Sequence, residues 1–170
     1  MDAQAVQRVR EVYDVSYRRL VGQLTGVTGD PSEAEDVVME AFVKAVKVAG
    51  EFARLDNPEA WLRTVAVNAA RSRWRRRRWL RESAPALDLS ATTYADLEPD
   101  RLDLLAALRR LPSGQREVIG LHHLADLPVA EVAETLGIPV GTVKARLSRG
   151  RAALAHLLAG SDVQPERSDR

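Results

Sequence analysis

Between Val140 and Leu158 the chain carries Thr142, Ala145 and Arg149 at three- and four-residue steps, with Gly141 and Ser148 beside them. On a helix these share one face, and Val143, Leu147 and Leu154 lie within about 40° of one another on the opposite face. Lys144 and Arg146 fall on the two flanks, and Arg151 falls closer to the apolar stripe. Small and polar side chains at the centre allow close approach to base edges, while cations on either side meet the two phosphate backbones of a duplex. Arg149 is placed for a bidentate guanine contact, and Arg151 for packing or a phosphate contact.

A second cationic stretch holds seven Arg between positions 71 and 81 with no acid among them. A run that dense repels itself unless an anion is near, which favours nucleic acid over a merely solvated helix end. Thr64, Asn68, Arg71, Arg75 and Arg78 lie within about 80° on the face opposite Leu62 and Ala69. Trp74 and Trp79 stack on bases or pack inward. Total charge hides these patches, because Lys+Arg is 25 and Asp+Glu is 24. The charge is arranged in blocks instead. Residues 30–40 and 82–100 hold five acids each and no base, and residues 141–160 hold four cations and no acid. All but Lys44, Lys47 and Lys144 of the cations are Arg, which makes planar, bidentate contacts to phosphate and guanine that Lys cannot.

Other chemistry finds no support. There is no Cys, which excludes a disulfide framework, a thiolate zinc site and a cysteine nucleophile. His122 and His123 are adjacent, so a helix turns them about 100° apart, a poor arrangement for one metal ion. No Gly-rich phosphate loop, Ser-His-Asp set or pair of catalytic carboxylates occurs, so no enzyme, metal or cofactor is expected. No apolar run approaches the roughly 20 residues of a membrane span, and the N-terminus has no signal-peptide core. The expectation is a soluble, cytoplasmic protein.

The elements that must carry these residues read as helices throughout. Residues 5–25 form one, with Val6, Val9, Tyr13, Tyr17, Leu20 and Leu24 at helical steps, ended by Gly26 and Gly29. Asp30-Pro31-Ser32-Glu33 starts a second, with Asp30 as cap and Glu33 where a capping-box acid belongs. It buries Ala34, Val37, Val38, Ala41, Phe42, Ala45 and Val48. Residues 50–56 are a connecting loop. Asn57-Pro58 opens a helix with Leu62, Val65, Ala66 and Ala69 on its apolar face. From Leu102 the helical spacing returns through Leu105, Ala106 and Leu108, then through Val118, Ile119, Leu121 and Leu124. Val132, Ala133 and Leu136, the turn residue Gly137, the plug Ile138, then Val143 and Leu147 make a helix-turn-helix. The fold class is all-α: two small helical domains, 1–81 and 102–160, joined by a flexible acidic linker, 82–101, with a polar tail, 161–170.

Four ordered blocks resemble the bacterial RNA polymerase sigma factors of the extracytoplasmic-function (ECF) class: residues 30–42, Trp61 to Arg71, Leu111-Pro112 with Arg116-Glu117-Val118, and Ala130 to Arg151. The resemblance implies a promoter-specificity subunit whose second sigma domain reads and melts the minus-ten element and whose fourth reads the minus-thirty-five element. It implies polymerase docking, on the clamp helices and the flap, with Glu35, Asp36 and Glu40 on the acidic helix. It implies minus-ten contacts from Thr64, Asn68, Arg71, Arg75 and Arg78, and from the loop holding Phe52, Arg54, Asp56 and Asn57. There Phe52 is a stacking or a core residue, and Asn57 a helix cap before a base reader. Minus-thirty-five contacts fall on Gly141, Thr142, Lys144, Ala145, Arg146, Ser148, Arg149 and Arg151. Members of the class usually have an anti-sigma partner. An autonomous helix-turn-helix regulator is the rival reading, but its sensor domain should offer an apolar pocket, not an acid face and an Arg-rich helix.

Overall fold

Helix α1 (Ala3–Thr28) starts at Asp2, whose carboxylate accepts the Gln4 amide at 3.0 Å, and stops at Gly29, in the left-handed conformation with φ 72°. The computed structural model describes residues 2–83 and 98–161. Gly26 does not end α1; it lies inside the helix and is buried. Asp30 caps α2 (Pro31–Lys47) by accepting the Ser32 and Glu33 amides at 2.9 and 3.3 Å. Glu33 does not complete a capping box. The Asp30 amide donates instead to Thr28 Oγ1 at 3.1 Å, and the Glu33 carboxylate pairs with Arg77.

The expected inner residues of α2, from Ala34 to Ala45, are buried. The stretch expected as loop begins with a single helical turn, α3 (Ala49–Phe52), which puts Ala49 and Phe52 on the same, buried side. Asn57 Oδ1 accepts the Ala60 amide at 3.0 Å, capping α4 (Pro58–Ser83). The buried face of α4 is Leu62, Arg63, Ala66, Val67 and Ala70, so the helix is rotated from its expected setting, and Val65 and Ala69 are only half-buried. Helices α1, α2 and α4 pack together around this face.

The second half contains α5 (Pro99–Arg110), α6 (Ser113–Ile119), a π-helical turn (Gly120–Leu124), α7 (Val129–Leu136) and α8 (Val140–Ser161). Pro99 takes the first helical position, where its missing N–H costs nothing. Helices α4 and α5 therefore extend into the ends of the expected linker; residues 84–97 of that linker and 162–170 of the tail lie outside the described residues. Ala107, not Ala106, is buried on α5. The extra residue in the π-helical turn carries Leu124 off the buried side, leaving it 43% exposed. Among the described residues no strand occurs.

The two halves are packed against each other. A Cβ added at Gly120 would lie 2.7 Å from the Val27 nitrogen, and one at Gly26 would collide with Leu124. These glycines let the π-helical turn meet the end of α1 backbone to backbone. No basic residue occupies the last turn of α1. Two arginines from the second half take that role: Arg109 Nε donates to the Gly29 carbonyl at 2.6 Å and Arg116 Nε to the Val27 carbonyl at 2.9 Å. In the other direction, Arg71 Nη1 donates to the Leu136 carbonyl at 3.0 Å, at the end of α7.

Candidate nucleic-acid interface

Helix α7 stops at Gly137, with φ 65°, and the Ile138 amide donates back to the Ala133 carbonyl at 3.1 Å. This tight turn sets α8 across α7, with Val143 0% and Leu147 2% exposed between them. Away from that stripe α8 exposes Gly141, Lys144, Ser148 and Arg149, with Thr142, Ala145 and Arg146 half-buried, and Arg151 is exposed at the edge of the stripe. The helix runs unbroken through Gly150. That residue is buried, and a Cβ there would meet Ile119 at 3.1 Å, so the glycine serves the packing of α8 on α6. The cations on this face differ in freedom. Arg146 lies over Gly114, and Arg151 Nε donates to His123 Nε2 at 2.9 Å. Burial, with the Arg151 and His122 charges, holds the His123 imidazole below its usual range, in keeping with its role as acceptor. Arg149 makes only a 3.4 Å bond to the Ala145 carbonyl, and Lys144 has no partner among the described residues. Lys144, Ser148 and Arg149 are thus the side chains presented outward.

On α4 the expected stripe divides. Asn68, Arg75 and Arg78 are exposed and Thr64 is half-buried. Arg78 lies over the Trp74 ring, 5.5 Å from its centroid, and its Nε meets Glu82 at 3.3 Å. Arg71 belongs to the junction of the two halves, where its Nε lies 3.4 Å from Glu117 Oε1. The acids expected to dock polymerase are exposed, but Arg73 reaches across from α4 to Asp36 at 3.4 Å and Glu40 at 3.0 Å, while Glu35 is exposed without such a pairing. In the loop after α3, Arg54, Asp56 and Asn57 are exposed. Phe52 is not available to stack on a base: it is 2% exposed and meets the Trp61 ring edge to face at 5.5 Å.

One polar cluster escaped the sequence reasoning. Arg63 is buried and donates to Gln23 Oε1 at 2.9 Å. Glu59 accepts from Ser16 Oγ at 3.0 Å and from Arg19, and lies 3.4 Å from Arg63. Burial alone would raise the Glu59 carboxyl, but the Arg19 and Ser16 bonds and the Arg63 charge hold it below the usual carboxylate range. The cluster fixes α4 on α1 and explains its rotation. The signal was present: Ser16 and Gln23 are polar residues on the apolar stripe of α1, and such residues need buried partners.

Residues 12–80 match the family described as Sigma-70 region 2, and residues 101–154 match Sigma-70, region 4. The chain is 31% identical over 159 residues to the ECF RNA polymerase sigma factor SigW of Bacillus subtilis, covering 85% of this chain and 81% of that one. It is 32% identical over 158 residues to SigM of Mycobacterium tuberculosis, another ECF sigma factor, covering 88% and 78%. Among solved structures it is similar to the sigma factor RpoE of Bartonella quintana in complex with the anti-sigma factor NepR, with TM-score 0.69, 27% identity and coverage of 88% and 96%. It is also similar to CnrH in complex with the cytosolic domain of CnrY, with TM-score 0.65, 27% identity and coverage of 93% and 94%.

Proposed function

The chain belongs to the ECF class of RNA polymerase sigma factors, subunits that bind core polymerase and direct promoter-specific initiation, and we propose that it reads the minus-thirty-five element with α8 and the minus-ten element with α4 and the loop before it. The observation that carries the reading is α8 itself: Lys144, Ser148 and Arg149 face outward from a helix seated on its partner by Val143 and Leu147. That is the geometry of a recognition helix entering a major groove. Residues 1–81 serve as the polymerase-binding and minus-ten unit, and 102–160 as the minus-thirty-five unit. Asn68, Arg75 and Arg78 are the α4 groups open to DNA in the packed arrangement; Arg71 and Arg73 join them when their present partners are released. Asp36 and Glu40 dock on basic polymerase helices. Similarity to the sigma factor RpoE solved with the anti-sigma factor NepR supports an anti-sigma partner for this chain as well.

Run-off transcription by core polymerase on a cognate promoter tests the reading, and initiation is expected only when this chain is added. Replacing Asp36 and Glu40 together by Lys weakens core binding by roughly tenfold or more, about 1.4 kcal/mol. Arg73→Ala breaks the same ion pairs but keeps the acids, and leaves core binding intact or tighter. Sequence-specific nanomolar duplex binding by the chain alone, with no dependence on core, would instead establish an autonomous regulator.

A further inference from the structure

Where α2, α4, α5 and α6 meet, the packed halves form a partly open pocket of about 250 Å³. Its lining includes Arg71, Arg77, Arg81, Arg109 and Arg116, against Asp30, Glu33 and Glu117. The acids are committed. Asp30 caps α2, Glu33 pairs with Arg77, and Glu117 pairs with Arg71. Arg116 spends its Nε on a carbonyl, and Arg81 has no partner among the described residues. Burial pushes the Arg116 guanidinium down; the Glu117 and Glu33 charges oppose this, and those of Arg77 and Arg109 reinforce it. Five arginines against three acids leave positive charge in surplus in a partly enclosed space, where like charges repel more strongly than in bulk water. The hydroxyls of Thr28 and Ser113 and the half-exposed Trp74 ring complete the wall.

We propose that this pocket is a binding site for a compact phosphate anion of the diphosphate type, and that the anion, held by arginines of both halves, stabilises their packed arrangement. Guanidinium groups suit this ligand because their planar N–H pairs match phosphate oxygens. The volume lies just under the roughly 300 Å³ at which typical small-molecule sites begin, which suits a small anion and excludes duplex DNA. Arg71 and Arg77 stand on α4, and Arg109 and Arg116 on α5 and α6. A ligand that bridges these elements binds the packed form better than an open one, so it shifts the equilibrium toward packing and away from promoter binding.

Inorganic pyrophosphate and ATP, titrated into the free chain by calorimetry, test the site, with sodium sulfate at matched ionic strength as control. Saturable pyrophosphate binding is expected, with sulfate far weaker. Arg116→Gln should weaken it by roughly tenfold or more. Arg81→Gln, a change at an exposed side chain, should weaken it with the fold intact. Glu117→Gln should tighten it, because a buried competing carboxylate is removed; a merely structural role for Glu117 predicts the reverse. The chain has no Cys, so Val15→Cys and Ala159→Cys allow a fluorophore pair across the halves, and pyrophosphate should narrow its distance distribution. No saturation at millimolar pyrophosphate, equal effects of sulfate, or affinity unmoved by both Arg variants would overturn the proposal. These readouts use the free chain, so failure of the promoter assignment leaves them unaffected.

Discussion

Arg149 and Lys144 leave the same helix but face different chemistry. Arg149 is centred on the exposed face, opposite Val143 and Leu147, and holds only a long bond within its own helix. Arg149→Ala should cost about 1–3 kcal/mol and relax preference at one base pair of the minus-thirty-five element. Lys144 stands on the flank, so Lys144→Ala should weaken all sequences alike and lower the salt slope by about one. Binding of a panel of minus-thirty-five variants by holoenzyme at several salt concentrations measures both. If Lys144→Ala changes base preference while Arg149→Ala moves only overall affinity, the helix enters the groove rotated from this placement. Arg151 and Arg146 should matter less for base choice, since Arg151 is bonded to His123 and Arg146 is half-buried over Gly114.

At the scale of elements, the end of α1 is the hinge of the architecture. Its last carbonyls are bonded by Arg109 and Arg116, and its backbone touches Gly120. Gly120→Leu has no space for its side chain, and overpacking of this kind costs about 1–3 kcal/mol. The expected result is separation of the halves with helix content retained: a larger radius by small-angle scattering and unchanged circular dichroism. Loss of helix instead would mean that the second half depends on this contact to fold. The same junction marks what the sequence discloses. Asp30-Pro31, Asn57-Pro58 and Gly137 were legible because caps and turns are set by neighbours in the chain. Val132, Leu136, Val143 and Leu147 were legible because the helix-turn-helix is short and its spacing regular. Gly26 read as a stop because its partner, Leu124, is remote in sequence. Arg71 read as a free DNA contact because Glu117 and Leu136 are equally remote. Phe52 stood open between two roles until the fold supplied Trp61. Periodicity reports which face is inward; it does not report what lies across from it.

At the scale of the molecule, the packed arrangement and promoter recognition are incompatible in size. The two elements lie about 25 base pairs apart, about 85 Å at 3.4 Å per step. A packed chain of this length is about 40 Å across. The stretch between Ser83 and Glu98 reaches about 50 Å at full extension, enough to make up the difference. The fluorophore pair at positions 15 and 159 should therefore report a short distance in the free chain and a distance tens of ångströms longer once core polymerase is bound. A distance unchanged on core binding would show that the packed arrangement is also the working one. Opening would free Arg71 from Glu117, so on the proposed reading the step that separates the halves would also deliver a cation to the minus-ten surface.

The pairing of Arg73 with Asp36 and Glu40 bears on how the protein finds its target in a crowded cell. A chromosome offers on the order of a million or more non-specific sites, and any exposed run of arginines is drawn to them. A chain that neutralises part of its own run shortens its visits to that decoy excess. The carboxylates that do so are the ones proposed to dock on polymerase; on that proposal, docking would exchange one counter-ion for another and unmask the arginine where a promoter is at hand. Commitment to DNA would thereby be deferred until the enzyme that will use it has been captured.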